Sequence, residues 1–228
     1  MPRVGVFGGS FNPIHFGHLL LADDIAEILD LDRVLLVPAS RPPHKPASDL
    51  APASHRFQMA ALAVRGQPRL AVCDLELARR GPSYTVDTLD ALQGGGDLHL
   101  LIGSETFLDL LTWREPRRVV GLARLVVVPR AGTGFDPEGP ASQKVLNELG
   151  LSGFVQPGVA GRGGERAPSP SVGAGQPPPP LLVRATSLPI SGSDLRRRAR
   201  EGRSLAYRMP ESVATYIHEH RLYRADAS

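Results

Sequence analysis

The stretch Val4–Ala22, VGVFGGSFNPIHFGHLLLA, decides the fold of this chain. Val4, Val6 and Phe7 favour a β-strand, and Gly8 and Gly9 then allow the backbone to turn sharply and to approach a ligand closely. From about Gly17 onward, an apolar run predicts a helix. A strand, a glycine corner and a helix in this order aim backbone N–H groups and a helix dipole at a phosphate. The stretch therefore predicts an anion-binding corner in an α/β fold.

Two histidines occupy this corner. His15 and His18 are three residues apart near the helix start, so both side chains can point into the corner. Gly17 leaves room for a ligand beside them. A lone histidine here would more often cap or pack a helix start, but a pair next to GGSFNP favours a phosphate site. The sequence contains no P-loop, G-x-x-x-x-G-K-(S/T), and no dinucleotide fingerprint, G-x-G-x-x-G, follows the strand.

The segment GGSFNPIHFGH resembles the signature of the nucleotidyltransferase superfamily that carries an H-x-G-H element. Members of that superfamily transfer a nucleoside monophosphate from a triphosphate to a phosphate and release pyrophosphate. H-x-G-H alone would also fit class I aminoacyl-tRNA synthetases, but the longer stretch is specific. The resemblance implies ATP contacts from Gly8, Gly9, Ser10, Phe11, His15 and His18.

A second signature lies near the other end of the chain. Residues 190–196, ISGSDLR, resemble the superfamily pattern I-S-x-(S/T)-x-(I/L)-R. On the residues alone, Ser191 and Asp194 predict a capped helix from about Asp194 to Glu201. Hydroxyl groups at a helix start and an arginine one turn later also make an anion site. The resemblance implies that the triphosphate is held by Ile190, Ser191, Ser193 and Arg196, and that His15, His18 and Arg196 are catalytic.

Three further segments resemble the nicotinate-mononucleotide adenylyltransferases: PPHK at 42–45, GPSYT at 81–85 and TW at 112–113. The residues alone also fit a solvated loop, a helix capped by Ser83 or Thr85, and a core tryptophan. The resemblance implies mononucleotide contacts from Ser10, His44, Lys45, Tyr84, Thr85, Trp113 and Arg130. It also implies ATP contacts from Gly103 and Glu105 in IGSE, where the family has I-G-x-D.

The order of predicted strands and helices indicates a Rossmann-like α/β fold. A strand at 33–38 after the first helix makes a βαβ unit, which implies a parallel sheet with helices on both faces. We expect one domain over residues 1–228, ending in C-terminal helices that include Glu211–Tyr223. Residues 159–180 are rich in proline and glycine and predict a disordered insertion, because they cannot bury enough apolar surface to offset their ordering entropy.

Composition limits the class of protein. The chain is 42% hydrophobic, which supports a sizeable core, and it has no run of about 18 apolar residues that would predict a membrane span. A single cysteine, Cys73, excludes an internal disulfide and a cysteine metal cluster. We expect a cytoplasmic protein with neither a membrane nor a nucleic-acid partner. The sequence leaves open whether it forms a homo-oligomer.

Taken together, the resemblance implies adenylyl transfer from ATP to nicotinate mononucleotide, giving deamido-NAD and pyrophosphate. Mg²⁺ would arrive on the ATP phosphates, and no protein metal ligands are predicted. Rival interpretations are a related transferase acting on nicotinamide mononucleotide or phosphopantetheine, a tRNA synthetase, and a nucleic-acid binder using the arginines at 196–200. The last lacks the interleaved aromatic side chains that such proteins use.

Overall fold

The computed structural model describes residues 1–43, 46, 50–130, 132, 134–157 and 175–224. Within these ranges six strands form one parallel sheet. The strands are β1 (Arg3–Gly9), β2 (Arg33–Pro38), β3 (Leu70–Val72), β4 (Asp97–Gly103), β5 (Arg124–Val128) and β6 (Leu181–Leu182). The parallel sheet expected from the βαβ pattern is confirmed.

The strand order places a ligand crevice at β1. The sheet runs β3-β2-β1-β4-β5-β6, so the chain leaves β1 towards one edge and later returns to its other side with β4. In register, Val6 of β1 lies beside Leu100 of β4. Open α/β sheets bind ligands outside the carboxyl ends of the strands where the order reverses in this way. The glycine corner after β1 and the Gly103 corner after β4 are therefore neighbours at the crevice.

Helices cover both faces of the sheet, as predicted. In the described part of the chain they are α1 (Phe16–Ile28), α2 (Ala53–Ala63), α3 (Leu75–Ala78), α4 (Thr85–Leu92), α5 (Ser104–Leu108), α6 (Pro116–Leu122), α7 (Pro140–Leu149), α8 (Gly192–Arg200) and α9 (Glu211–Glu219). A 3-10 turn, Leu110–Thr112, follows α5. Two apolar clusters result, one beneath α1, α2, α8 and α9 and the other beneath α4 to α7.

Alternation along the strands builds these two clusters. In β5, Val126 and Val128 join the first cluster, whereas Leu125 and Val127 join the second. Successive side chains of a strand point to opposite faces. A parallel sheet covered on both faces therefore needs continuous apolar strands, which explains runs such as LVVV.

The predicted insertion at 159–180 extends too far at its C-terminal end. Residues 158–174 lie outside the described residues, but Pro178 and Pro180 are buried. The Arg124 side chain donates from Nε to the Pro179 carbonyl at 3.0 Å, and the Val155 N–H donates to the Pro180 carbonyl at 3.0 Å. Residues 178–180 are thus held against the edge of the sheet, although they form neither a helix nor a strand.

The C-terminal helix is shorter than predicted. Helix α9 ends at Glu219, and Tyr223 lies beyond it with a left-handed φ of 63° and a half-buried side chain. The Tyr223 hydroxyl donates to Asn12 Oδ1 at 2.8 Å. The segment after α9 therefore reaches back to the glycine corner. None of the helices in the described ranges combines the length and apolar character needed to cross a membrane.

Candidate active site

The paired histidines stand together at the start of α1, as predicted. His15 is the N-cap residue in extended conformation, and its ring lies 3.8 Å from that of His18, centroid to centroid, with 30° between the planes. His15 is 6% exposed, and His18 is half-buried. The two imidazoles form a stacked pair, of which His18 is the more accessible member.

Aromatic and glycine residues fix this pair. The ring of Phe11, 2% exposed, meets the rings of Phe7 and His18 edge-on, with centroids 5.5 and 5.2 Å away. Any nucleotide contact from Phe11 therefore comes from its backbone. A Cβ added at Gly17 would lie 3.1 Å from the His15 ring. The prediction that Gly17 leaves room for a ligand is wrong, because the His15 ring occupies that space.

His15 is electrically neutral at pH 7. Burial, and then the positive charge of Arg130, lower the pKa of His15 from 6.5 to about 4. Its Nδ1 is buried and has no hydrogen-bond partner among the described residues. A phosphate bound beside His15 would bring a negative charge close to the imidazole and would raise its pKa.

This depressed pKa predicts acid sensitivity that depends on His15. Between pH 6.5 and about 4, His15 is protonated in the unfolded chain but not in the folded protein. The free energy of unfolding therefore falls as the pH falls. The shift corresponds to about 3 kcal/mol at most. His15→Asn should therefore flatten the decline in the free energy of unfolding measured by denaturant titration at pH 7.0, 5.5 and 4.5. Buried His99, whose pKa is also lowered by burial, should supply a residual slope in the variant. Identical slopes for the two proteins would contradict the assignment.

The second signature forms the predicted capped helix start. Ser191 is the N-cap of α8, and its Oγ accepts the Asp194 N–H at 3.2 Å. The hydroxyls of Ser191 and Ser193 lie 3.2 Å apart and are both exposed. Ile190, half-buried, precedes them. This helix start presents two adjacent hydroxyl groups to solvent.

The two signatures meet at the carbonyl of Asn12. Arg196 donates from Nη1 to the Asn12 oxygen at 2.9 Å. A Cβ added at Gly192 would lie 3.0 Å from that same oxygen and 3.4 Å from Arg196 Nη1. Glycine at 192 therefore permits the close approach of the α8 start to the corner. Segments about 180 residues apart in sequence are joined into one surface.

Gly103, Glu105 and Arg130 lie where β4 and β5 end. Gly103 precedes α5 in extended conformation, and Glu105 Oε2 lies 3.2 Å from Arg130 Nη1. Both charged side chains are well exposed, so the ion pair adds little stability. The charge of Arg130 also contributes to lowering the pKa of His15, so this arginine acts electrostatically on the histidine pair. An ATP contact from Glu105 stays a prediction.

Ser83 binds the segment directly before PPHK instead of capping a helix. Its Oγ accepts the N–H groups of Ser40 at 2.9 Å and Arg41 at 3.2 Å, and its own N–H donates to the Arg41 carbonyl at 3.0 Å. Tyr84 is the N-cap of α4, and Thr85 is its first residue. Both caps predicted from sequence are therefore wrong. His44 and Lys45 lie outside the described residues.

Trp113 and Tyr84 belong to one neighbourhood. Both are half-buried and pack against the second apolar cluster. The guanidinium of Arg114 lies over the Tyr84 ring, 4.9 Å from its centroid, and 3.9 Å from the carboxylate of Asp87 in the first turn of α4. Sequence analysis missed Arg114, and its only signal was its place beside the tryptophan.

Sequence analysis also missed Arg56, which is 1% exposed behind the corner. Its Nη1, Nε and Nη2 donate to three main-chain carbonyls, those of Ser10 at 2.8 Å, Ala51 at 2.9 Å and Ser40 at 3.1 Å. Burial lowers the pKa of Arg56. A sequence signal existed: an arginine three and four residues before the apolar Met59 and Ala60 lies on the buried face of α2.

Comparisons with known proteins agree with this geometry. The family model described as Cytidylyltransferase-like matches residues 6–198. Proteins named "Probable nicotinate-nucleotide adenylyltransferase" are similar along their whole length. That of Thermus thermophilus is 42% identical over 225 residues, 97% of this chain and 100% of the relative. That of Roseiflexus sp. is 38% identical over 223 residues, 97% of this chain and 98% of the relative.

Solved structures share the fold. The Plasmodium falciparum nicotinic acid mononucleotide adenylyltransferase complexed with NaAD superposes with a TM-score of 0.69 at 17% identity, covering 98% of each chain. The same enzyme complexed with APC gives a TM-score of 0.68 over the same coverage. At this identity the likeness establishes the architecture.

Proposed function

The chain belongs to the nicotinate-nucleotide adenylyltransferase family of cytidylyltransferase-like proteins, and we propose that it transfers the adenylyl group of ATP to nicotinate mononucleotide. A phosphate oxygen of the mononucleotide attacks the α-phosphorus of ATP. The bond from that phosphorus to the bridging oxygen breaks, and pyrophosphate leaves with the electron pair. The observation that carries the proposal is the joining of both signatures at Asn12, beside the histidine pair and at the reversal of strand order.

Triphosphate binding falls to the corner and the start of α8. His18, the accessible histidine, donates to phosphate oxygens, and His15 stacks on it as a neutral ring. Ser191, Ser193 and Arg196 contact the remaining phosphate oxygens. The acceptor phosphate is already ionised, so no general base is needed. Catalysis then rests on positioning and on stabilisation of developing charge.

Mononucleotide binding falls to the start of α4 and the segment after α5. Thr85 opens α4, and its N-cap residue Tyr84 makes no capping side-chain bond within the described residues. The first N–H groups of this helix are therefore suited to the pyridine carboxylate. Trp113 supplies a flat surface for the ring, and Ser10 and Arg130 stand nearer the phosphate side. His44 and Lys45 are assigned there by resemblance only.

Mg²⁺ reaches the site on the ATP phosphates. Within the part of the chain that the structure describes, no three His, Cys, Asp or Glu side chains are grouped to hold a metal ion. Glu105 is engaged by Arg130, and the exposed Ser191 and Ser193 offer hydroxyl groups. This donor set fits an ion that keeps its waters and is carried by substrate phosphates. The bound ion would supply charge neutralisation on the leaving pyrophosphate.

Labelled ATP tests the reaction type. With nicotinate mononucleotide present, label on the α-phosphorus should enter the dinucleotide, and label on the γ-phosphorus should leave in pyrophosphate. Reactions without a mononucleotide should release neither. Appearance of the γ-label in inorganic phosphate, or in the mononucleotide, would show phosphoryl transfer or hydrolysis instead and would overturn the proposal.

Trp113→Ala should raise the KM for nicotinate mononucleotide about tenfold, the scale of losing one stacked ring. The KM for ATP should stay unchanged, because the triphosphate lies at the other side of the crevice. Trp113→Phe is the matched control and should keep most of the affinity. Steady-state kinetics with each substrate varied in turn would measure this. Equal rises in both KM values would place the indole in the core only.

A further inference from the structure

We propose that Arg56 is a positioning residue for the acceptor. It fixes Ser10, Ser40 and Ala51 relative to one another and thereby sets the affinity for the mononucleotide. The inference rests on the proposed function, because it names the substrate side on which the arginine acts.

The three carbonyls that Arg56 binds come from three separate segments. Ser10 belongs to the glycine corner, Ser40 follows the carboxyl end of β2, and Ala51 precedes α2. The planar guanidinium carries five N–H donors in a fixed geometry, so one side chain can bind all three oxygens. A lysine ammonium has the same charge but cannot copy this fork.

Ser40 is held from both sides. Its carbonyl accepts from Arg56 at 3.1 Å, while its N–H donates to Ser83 Oγ at 2.9 Å. Ser83 lies in GPSYT, directly before the N-cap of α4. Arg56 and Ser83 together therefore set the distance between the corner, the end of β2 and the start of α4.

Ala51 is also held twice. Its carbonyl accepts from Arg56 Nε at 2.9 Å, and its N–H donates to Asn12 Oδ1 at 3.0 Å. Asn12 Oδ1 also accepts from the Tyr223 hydroxyl. Ser40 and Ala51, which lie on either side of PPHK in the sequence, are thus both bound to Arg56.

Stability alone does not explain a buried arginine here. Removing a guanidinium from water is costly, and apolar residues of similar volume often stabilise a core as well or better. The gain is a defined geometry. Charge-assisted hydrogen bonds of this kind are each about twice as strong as neutral ones. Here all three are accepted by main-chain carbonyl oxygens around the crevice. Ser10 is a predicted contact of both substrates, whereas Ser40 and Ala51 flank the predicted mononucleotide contacts His44 and Lys45 in sequence. Loss of these bonds should therefore weaken mononucleotide binding more than ATP binding.

Arg56→Lys in the full chain tests this inference. The KM for nicotinate mononucleotide should rise about tenfold, the cost of losing one charged hydrogen bond, while the KM for ATP changes less than about twofold. Exposed Arg65, just past α2, gives the matched control Arg65→Ala, with both KM values at wild type. Val213→Ala creates a cavity in the first apolar cluster, so it should lower Tm and leave both KM values unchanged.

Two outcomes of Arg56→Lys would overturn the inference: an unchanged mononucleotide KM in a folded variant, or equal rises in both KM values. If Arg56→Lys does not fold, Ser83→Ala provides the test of the positioning role. This variant removes the neutral hydroxyl that accepts from the Ser40 N–H group. A rise of about threefold confined to the mononucleotide KM would support the inference. An unchanged value would refute it.

Hydrogen exchange separates this inference from the proposed reaction. In Arg56→Lys, the amides of Ser40 and Ala51 should exchange faster, while amides in β4 keep the wild-type rate. Unchanged exchange at both positions would refute the positioning role. If exchange is faster in the variant but the wild-type protein is inactive towards every mononucleotide, the structural role of Arg56 stands and the proposed function is refuted.

Discussion

His18→Ala is expected to lower kcat by about 10²-fold or more, the scale of losing one group that stabilises transition-state charge. The fold should survive. The helix that carries His18 is fixed by Ala22, Ile25 and Ala26, which are buried and lie beyond the first turn. The imidazole contributes edge contacts to Phe11 and stacking on His15 and has the more accessible ring of the pair. Steady-state kinetics and thermal unfolding on the same preparation would separate chemistry from stability.

His218 provides the matched control for this prediction. It is an exposed histidine in the last turn of α9 and belongs to neither signature. His218→Ala should keep the wild-type kcat. A folded His18→Ala protein with turnover near that of the control would refute the phosphate role of the histidine pair.

Nicotinate mononucleotide should be preferred over the nicotinamide form by about 10²-fold or more in kcat/KM, because a site built for one polar group leaves its partners unpaired with another. The carboxylate is expected at the start of α4, where Thr85 is the first helical residue. An amide would turn an NH₂ group towards backbone N–H donors, so an attraction becomes a repulsion. The cation of Arg114 beside Tyr84 and Asp87 offsets the acidic side chain in that turn.

Variants locate this discrimination. The stacking proposed for Trp113 does not involve the carboxylate, so Trp113→Ala should leave the acid-to-amide ratio near wild type. Thr85→Ala should narrow the ratio only in part, since backbone N–H groups carry most of it. Competition between the two mononucleotides, followed by product separation, measures the ratio directly. Equal rates with acid and amide would contradict the carboxylate site while leaving the family assignment intact.

Sequence alone predicted what short-range patterns determine. The run from β1 through the glycine corner into α1 follows from strand propensity, two glycines and an apolar helix. The capped start of α8 follows from Ser191 and Asp194, three residues apart. These features depend on neighbours within one turn, so the residues themselves specify them. The resemblance then supplied the functional roles that spacing could not.

The remainder of the site depends on contacts between distant segments. Arg56 binds Ser10 across 46 residues, and Tyr223 binds Asn12 across 211. Most of the oxygens that accept hydrogen bonds around the crevice are main-chain carbonyls. Because every residue has one, the sequence does not show which of them are used. Ser83 was misassigned for the same reason: a serine before a helix fits a cap equally well until its partner, Ser40, is known.

Adenylyl transfer to nicotinate mononucleotide is tested by pyrophosphate release from ATP, with nicotinate mononucleotide, nicotinamide mononucleotide and phosphopantetheine each offered alone. We expect rapid release with nicotinate mononucleotide, release slower by about 10²-fold or more with the amide, and none above background with phosphopantetheine. Fastest release with phosphopantetheine, or no release with either mononucleotide, would contradict it.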